Sequence, residues 1–206
     1  MLLLPSTTAK PTSQNASKEC IKSITAQTYS NWEYIIVNNR STDGTLAIAE
    51  KYTTDPRVRV ETNSDFLPII ANHNRAFSLI SRDSKYCKVV SADDWIFPEA
   101  LSRMVSLGES NPTVGLIGAY QLSGSGDVWY VRNHGLPYSS TVIGGRDMGR
   151  AHLLGPRPLD VFGNPTSTMY RADHRWFLES GWCQQPDPTG ESPVTTAKPS
   201  ARYGAI

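Results

Sequence analysis

The sequence has few cysteines, and their arrangement argues against two classes of small protein. Its 206 residues contain three, Cys20, Cys87 and Cys183, which are widely spaced and form no CxxC pair. A structural zinc site or a disulfide framework needs more cysteines, at paired spacings. We therefore expect free thiols in a reducing compartment, the cytoplasm, and neither a zinc protein nor a small secreted scaffold.

The sequence also lacks a long apolar segment and a surplus of charge of either sign. No apolar run approaches the roughly 18 residues that span a bilayer. The opening "MLLLP" has no basic residue ahead of its apolar stretch, unlike a signal peptide. Lys plus Arg number 20 and Asp plus Glu number 19, which gives a formal net charge of +1. We expect no transmembrane segment and no nucleic-acid partner, because no broad field would attract a polyanion.

Two polar segments flank a body of mixed composition. "PSTTAKPTSQNASK" (5–18) has no apolar periodicity, and "QQPDPTGESPVTTAKPSARYGAI" (184–206) carries four prolines. Such segments bury too little apolar surface to offset the entropy cost of ordering. We therefore predict a polar N-terminal tail over 1–18, one domain over 19–177, and a proline-rich, disordered tail over 178–206.

Within the body, patterns typical of strands and helices alternate. Helices are predicted from about Thr45, over "NHNRAFSLI" (72–80), and after Pro98. The predicted strands are "YIIV" (34–37), "RVRVET" (57–62), "YCKVV" (86–90) and "VGLIGAY" (114–120). This alternation predicts an α/β fold with a mostly parallel sheet flanked by helices.

Two polar turns follow buried strands of the predicted sheet, "NNRSTDG" after Val37 and "SADDW" after Val90. Ligands of open α/β sheets bind beyond the carboxyl ends of the strands. The two turns are therefore the candidate site. Lys88, just ahead of the second turn, is expected to extend its side chain into solvent.

Asp93 and Asp94 place two adjacent carboxylates at the end of a strand. Such a pair can hold Mg²⁺ or Mn²⁺ through hard oxygen ligands, and an ion held by one or two carboxylates usually shares its shell with substrate phosphates. The ion would stabilise charge on a departing diphosphate. The alternative is that the pair only forms an Asx turn and caps the helix after Pro98.

The first turn offers short hydrogen-bonding side chains. The Asn39 amide could meet a base edge or a ribose, and Ser41 could meet other polar ligand atoms. Turns of this kind also occur without a ligand. The sequence contains neither GxGxxG nor GxxxxGK[ST] here, which excludes a dinucleotide fingerprint and a P-loop.

In their order along the chain, these segments resemble the family 2 glycosyltransferases from about Cys20 to Arg171. "QTYSNWEYIIVNNRSTDGT" (27–45) is similar to the helix, strand and donor turn of the family, and "SADDW" (91–95) to its metal and diphosphate motif. "VFGNPTSTMYR" (161–171) is similar to the segment leading toward the acceptor. The resemblance implies the GT-A fold. It also implies transfer of a sugar, with inversion, from a nucleotide-diphosphate sugar to a hydroxyl acceptor, assisted by Mn²⁺ or Mg²⁺.

The resemblance also implies roles for individual residues. Donor binding would involve Asn39, Ser41 and Asp93, and the metal would be held by Asp93 and Asp94. Asn39 stands where the family usually has an aspartate. A serine stands at the first acidic position of the Asp-x-Asp pattern, which leaves the metal to the two aspartates. Trp95 is expected to pack against or shield the site.

Both ends depart from the family pattern, as if the chain were truncated or altered there. A polar segment takes the place of the first strand. No acidic residue after Arg171 matches the general base of the family, and Asp173 and Glu179 are candidates by type only. These departures predict that the chain as given does not catalyse transfer. Two alternatives to an active transferase are a catalytically inactive remnant that only binds a nucleotide diphosphate and an unrelated α/β nucleotide-binding domain.

Overall fold

The computed structural model describes residues 2–4, 13–125, 128–132, 139–154, 165–172 and 202–205. They form two principal sheets, helices that pack on them, and a separate hairpin. The helices are α1 (Ser13–Thr25), α2 (Thr45–Glu50), α3 (Ile69–Ser78), α4 (Ala100–Ser110), α5 (Gly145–Leu154) and a short 3-10 helix (Pro165–Ser167). The strands are β1 (Leu2–Leu4), β2 (Tyr34–Asn38), β3 (Val58–Thr62), β4 (Tyr86–Cys87), β5 (Val89–Ser91), β6 (Val114–Gly118), β7 (Gln121–Ser125), β8 (Val128–Arg132), β9 (Thr141–Gly144), β10 (Thr168–Arg171) and β11 (Arg202–Ala205).

The first sheet has the strand order β3-β2-β1-β5, and every neighbouring pair is parallel. All five residues of β2 are buried, which agrees with the unbroken apolar run in its sequence. Helices cover both faces of the sheet. On one face, Tyr34 and Ile36 pack with Ile21 of α1, and on the other Val37 packs with Phe77 of α3. The predicted α/β architecture with a parallel sheet flanked by helices is confirmed.

The predicted N-terminal tail over 1–18 is wrong for Leu2–Leu4 and for residues 13–18, whereas residues 1 and 5–12 lie outside the described residues. Leu2–Leu4 form β1, which lies between β2 and β5 and pairs with both. Two bonded neighbours satisfy the backbone of this strand on both sides, so three residues suffice for the first strand that the sequence was expected to lack. Helix α1 begins at Ser13, and its residues Ser17, Cys20 and Ile24 are buried at helical spacing. The domain therefore starts before residue 19, and the first strand is present.

The second sheet has the order β4-β10-β6-β11-β9 and is largely antiparallel. The single strand predicted over 86–90 is in fact two strands. Tyr86–Cys87 belong to this second sheet and Val89–Ser91 to the first, with Lys88 at the crossing between them. The local sequence could not reveal the division, because buried residues lie on both sides of Lys88, at Cys87, Val89 and Val90.

The predicted disordered tail is wrong for Arg202–Ala205, which form β11 between β6 and β9. Composition misses such a strand because four residues in a proline-rich context contribute little to an average. Residues 173–201 and 206 lie outside the described residues. In the part of the chain that the structure describes, no helix is both long and apolar enough to cross a membrane.

Candidate functional site

The two polar turns lie at the same edge of the first sheet. Strands β2 and β5 both run parallel to β1, which separates them. Their carboxyl ends, Asn38 and Ser91, therefore face the same way and stand about two strand spacings, roughly 10 Å, apart. This arrangement agrees with the expectation that both turns lie at one edge of the sheet.

The turn after β5 holds one aspartate and exposes the other. The Asp94 backbone N–H donates to the Ser91 carbonyl (3.0 Å), and Asp94 Oδ2 accepts from Thr166 Oγ1 (2.5 Å). Thr166 Oγ1 in turn accepts from the Ser91 N–H (3.0 Å). Asp93 is exposed. Thr166 thus clamps the turn and Asp94, while the neighbouring carboxylate faces solvent.

The proposed alternative role as a helix cap does not apply. Helix α4 begins at Ala100, its N-cap residue is Glu99, and it has no side-chain cap hydrogen bond. Asp93 and Asp94 lie too far ahead of the helix to serve it. Partial burial raises the pKa of Asp94, and the charge of Asp93 raises it further, against the opposing effect of the Thr166 hydrogen bond. The adjacent Asp93 and Asp94 carboxylates therefore repel each other and do not cap the helix.

Lys88 is buried beneath this turn, so the expectation that it faces solvent is wrong. Its Nζ donates to the carbonyl of Thr166 and to that of Thr168 (3.3 Å). The side chain extends from the crossing between β4 and β5 to the segment that contains Thr166. Burial lowers the pKa of Lys88 to about 7, partly offset by Cys87 and Asp94. Lys88 thus joins the two sheets at the base of the carboxylate turn.

The turn after β2 directs its amides into the protein. Asn39 Nδ2 donates to the Leu67 carbonyl (2.8 Å), and Asn39 Oδ1 accepts from the Leu67 N–H (2.9 Å) and from Asn63 Nδ2 (2.9 Å). Asn63 Nδ2 also donates to Asn72 Oδ1 (2.9 Å). Asn39 is almost fully buried. Its amide ties the turn to the loop that precedes α3, a role the sequence did not indicate.

The neighbouring residues shape the same turn. The Ser41 N–H donates to Asn38 Oδ1 (3.1 Å), and Ser41 is half-buried. Arg40 has φ = 57°, in the left-handed region, and its Nη1 donates to the Ser64 carbonyl (2.7 Å). Side chains disfavour this conformation. The turn is thus held by hydrogen bonds against some backbone strain.

A cleft of about 1120 Å³ opens beside the carboxylate turn. Asp93, Asp94 and Trp95 line it, together with α4, the β7–β8 hairpin and the 3-10 helix. Asn39 and Ser41 are not among its lining residues. The structure therefore brings the two aspartates and Trp95 to one cavity, and leaves the first turn at the same sheet edge but outside that cavity.

Residues that the sequence did not single out complete the cleft. Thr166 lies in a segment that the sequence analysis associated with the acceptor side, but its hydroxyl contact to Asp94 is visible only in the fold. Trp129 and Tyr130 come from the hairpin strand β8, where the run of aliphatic and aromatic residues "VWYV" (128–131) was the available signal. No group of three or more His, Cys, Asp or Glu side chains that could hold a metal ion occurs within the described ranges.

Comparison with known proteins gives a consistent result. Residues 14–176 match the family model described as glycosyl transferase family 2. The chain is 33% identical over 106 residues to the putative glycosyltransferase EpsE of Bacillus subtilis, covering 50% of this chain and 37% of that protein. It is 34% identical over 103 residues to an uncharacterized glycosyltransferase of Haemophilus influenzae, covering 50% of this chain and 31% of that protein. The chain thus spans about a third of the length of these relatives.

Solved structures agree on the fold. A structure of S. aureus TarS 1-349 in complex with UDP-GlcNAc matches with a TM-score of 0.68 and 16% identity, covering 100% of this chain and 55% of that one. The same protein in complex with UDP matches with a TM-score of 0.63 and 18% identity, covering 83% of this chain and 45% of that one. At such identity the likeness concerns the fold alone, which is that of the GT-A glycosyltransferases.

Proposed function

The chain belongs to glycosyl transferase family 2, and from this premise we propose that it transfers a sugar from a nucleotide-diphosphate sugar to a hydroxyl acceptor. The observation that carries the proposal is the exposed Asp93 carboxylate on a large cleft at the end of a buried strand. Family membership removes the alternative of an unrelated α/β domain. We propose inversion at the anomeric carbon, because direct attack by the acceptor opposite the leaving diphosphate needs no protein nucleophile.

The residues present fit a divalent metal, Mn²⁺ or Mg²⁺, that is held jointly by the protein and the donor phosphates. Asp93 and Asp94 supply hard oxygen atoms, and one oxygen of Asp94 is already engaged by Thr166. A cation held by so few protein ligands completes its shell with water and substrate phosphate oxygens. When bound, it would supply Lewis acid stabilisation of the departing diphosphate.

The contacts that hold these side chains indicate what each would do in the reaction. Thr166 fixes the orientation of Asp94, so only Asp93 has to adapt to the donor. Lys88 holds the Thr166 and Thr168 carbonyls and places a titratable amine below the turn. Trp95, partly exposed on the cleft, limits the access of water beside the carboxylates.

We propose that the donor nucleoside lies toward the turn after β2, with Asn39 and Ser41 as candidates. Both turns border one sheet edge, which supports a donor spanning them. Because the Asn39 amide is bonded to Leu67 and Asn63, we expect it to act by holding the turn. Ser41 is then the better candidate for direct contact. We also propose a cytoplasmic location, in keeping with the free thiols of Cys20 and Cys87.

The possibility of an inactive remnant relied on a missing first strand and a missing base. The presence of β1 removes the first argument. Asp173 and Glu179, the candidates for the base by type, lie outside the described residues. Direct measurement of acceptor-dependent turnover therefore separates an active transferase from a protein that only binds the donor.

The test uses the full chain with Mn²⁺ and a panel of nucleotide sugars, following nucleotide diphosphate release with and without mixed acceptors. Asp93→Asn should weaken Mn²⁺-dependent binding of uridine diphosphate by about 1 to 3 kcal/mol, the range for losing a charged hydrogen-bonding partner. Asp83→Asn changes an exposed aspartate away from the cleft and is the matched control. Unchanged affinity in a folded Asp93→Asn protein would refute the assigned role, and donor binding without turnover would indicate the remnant.

A further inference from the structure

Aromatic side chains line the cleft next to the carboxylate turn. Trp95 and Phe97 follow Asp94 closely in sequence, and their rings meet edge to face with centroids 4.9 Å apart and an interplanar angle of 73°. This contact steadies the pair, yet Trp95 is 44% exposed and Phe97 55% exposed. The rings therefore present apolar surface to the cavity beside the proposed donor phosphate site.

A second group of aromatic side chains in the lining comes from the β7–β8 hairpin. All five residues of β8 are exposed, and Trp129 and Tyr130 both line the cleft. Gly124 pairs directly with Trp129, and a Cβ added at Gly124 would lie 2.7 Å from Trp129 Cδ2. The Trp129 ring thus packs on the glycine backbone, which fixes its position. Two aromatic groups, from separate segments of the chain, face one space.

The polar groups of the cleft are balanced in charge. Its lining carries carboxylates at Asp93, Asp94 and Glu99, and it carries basic groups at Lys88, Arg103 and Arg132. Lys88 is buried and bonded to backbone carbonyls. With Asp93 and Asp94 assigned to the metal, the two arginines face only Glu99, which leaves a surplus of a single basic group. A phosphate-rich polymer would need a basic group for each of several phosphates, which is more than this lining provides.

Exposed aromatic faces combined with planar hydrogen-bonding groups suit one class of ligand. A pyranose ring has an apolar face of C–H groups that can cover an aromatic ring, and hydroxyl groups around its edge. Arg103, Glu99 and Gln121 supply donors and acceptors for such hydroxyls. The cleft, about 1120 Å³, exceeds the roughly 300–1,000 Å³ typical of small-molecule pockets, so it has room for more than one sugar ring.

We propose that this cleft is the acceptor subsite and that it takes a neutral saccharide, one ring of which stacks on Trp95 while the hairpin residue Tyr130 flanks it. The proposal rests on the proposed function, because it makes the saccharide the hydroxyl acceptor. A ring stacked on Trp95 lies within two residues of Asp93, which brings its hydroxyl groups toward the donor sugar. Burial of aromatic surface then supplies affinity, and edge contacts select the orientation.

The test measures binding, apart from turnover. Neutral tetrasaccharides of glucose, galactose, mannose and N-acetylglucosamine are titrated against the full chain by calorimetry, with a glycerol phosphate tetramer as the anionic probe. Saturation-transfer NMR from aromatic protons reports the sugar face in contact. We expect at least one neutral tetrasaccharide to bind, and Trp95→Ala to weaken it about tenfold, the effect of losing one buried ring face.

Two further variants sharpen the result. Trp95→Phe keeps an aromatic face and should restore most of the affinity. Phe66→Ala removes an aromatic side chain that is 61% exposed but does not line the cleft, and should leave saccharide binding unchanged. If Trp95→Ala fails to fold, Tyr130→Ala serves in its place, with an expected loss of saccharide affinity of about threefold to tenfold.

The outcomes separate this proposal from the proposed function. Absence of any neutral saccharide binding, tighter binding of glycerol phosphate, or saccharide affinity unaffected by the cleft variants would each overturn it. Donor turnover with only an anionic acceptor would leave the transferase function standing without this subsite. Saccharide binding lost in Trp95→Ala, in a chain that binds no nucleotide diphosphate, would support the subsite and refute the transferase.

Discussion

The two turns at the carboxyl edge of the first sheet occupy equivalent places and are built in opposite ways. After β2, the Asn39 amide is buried and bonded to Leu67 and Asn63. After β5, Asp93 is exposed, and Asp94 is held through one oxygen by Thr166. An amide carries a donor and an acceptor and can therefore pair fully with a backbone residue, whereas a carboxylate can only accept. The side-chain chemistry thus decides which turn braces the fold and which remains available to a ligand.

The largest effect is expected from breaking the amide turn. Asn39→Ala removes one buried and two partly buried hydrogen bonds to Asn63 and Leu67, so it should lower the free energy of unfolding by about 2 to 4 kcal/mol. Urea denaturation measures this loss. Asn31→Ala, at an exposed asparagine, is the control and should stay within about 0.5 kcal/mol of wild type. Full stability in Asn39→Ala, with weaker uridine diphosphate binding, would instead show a direct donor contact.

The support beneath the carboxylate turn can be tested by pH. The pKa of Lys88, about 7 in the folded protein, is below its ordinary value of 10.5, so the unfolded chain binds more protons between these values. The free energy of unfolding of the wild type, relative to that of Lys88→Met, should therefore rise as the pH increases above 7. The limiting slope is roughly 1.4 kcal/mol per pH unit, and the rise should reach about 2 kcal/mol by pH 9. Below pH 7 the difference should be flat.

Urea denaturation at several pH values measures the difference. Lys85→Met, at an exposed lysine paired with Glu109, is the matched control and should show no comparable rise. Parallel pH curves for wild type and Lys88→Met would contradict an amine with a lowered pKa at this position.

The clamp on Asp94 can be loosened without a large change in side-chain volume. Thr166→Val removes the hydroxyl that bonds Asp94 and accepts from the Ser91 N–H, and should destabilise the fold by about 1 to 2 kcal/mol. The pKa of Asp94 should rise further, because this hydrogen bond lowers it. Carboxyl NMR titration and urea denaturation measure the two effects. Thr166→Ser keeps the hydroxyl and should keep the stability and the Asp94 pKa close to those of the wild type. If Thr166→Val and Thr166→Ser had the same stability and the same Asp94 pKa, the Thr166 hydroxyl would not hold Asp94.

The smallest effect concerns the strain in the amide turn. Arg40 has φ = 57°, so Arg40→Gly should be more stable than Arg40→Ala by about 1 kcal/mol. Both variants lose the bond from Arg40 Nη1 to the Ser64 carbonyl, so their difference isolates the backbone term. Thermal or urea unfolding of the pair measures it. An alanine variant as stable as the glycine variant would argue against strain here.

Local patterns were sufficient to predict much of the fold. The buried run at 34–37, the helix after Pro98 and the strand starting at Val114 all form as expected. These elements are long or strongly patterned, so neighbouring residues largely determine them. The position of both turns at one sheet edge also followed, because parallel strands align their carboxyl ends.

The errors share a different cause. Leu2–Leu4 and Arg202–Ala205 are too short to be distinguished by composition, and they are ordered by partners far away in sequence. The inward role of Asn39 depends on Leu67, and the burial of Lys88 depends on the segment near Thr166. Contacts of this range arise from the assembled fold, so residue type and local spacing could not supply them.

The central place of β1 has a consequence for the order of assembly. Leu2 pairs with both Ile35 and Val89, so the strand in the middle of the sheet is distant in sequence from both of its neighbours. Closing such long-range contacts is slow compared with forming helices. Until β1 docks, β2 and β5 each present an unpaired edge to a slot one strand wide. A strand from another molecule fits the same slot, so the partly folded chain with this gap open is the species most prone to aggregate.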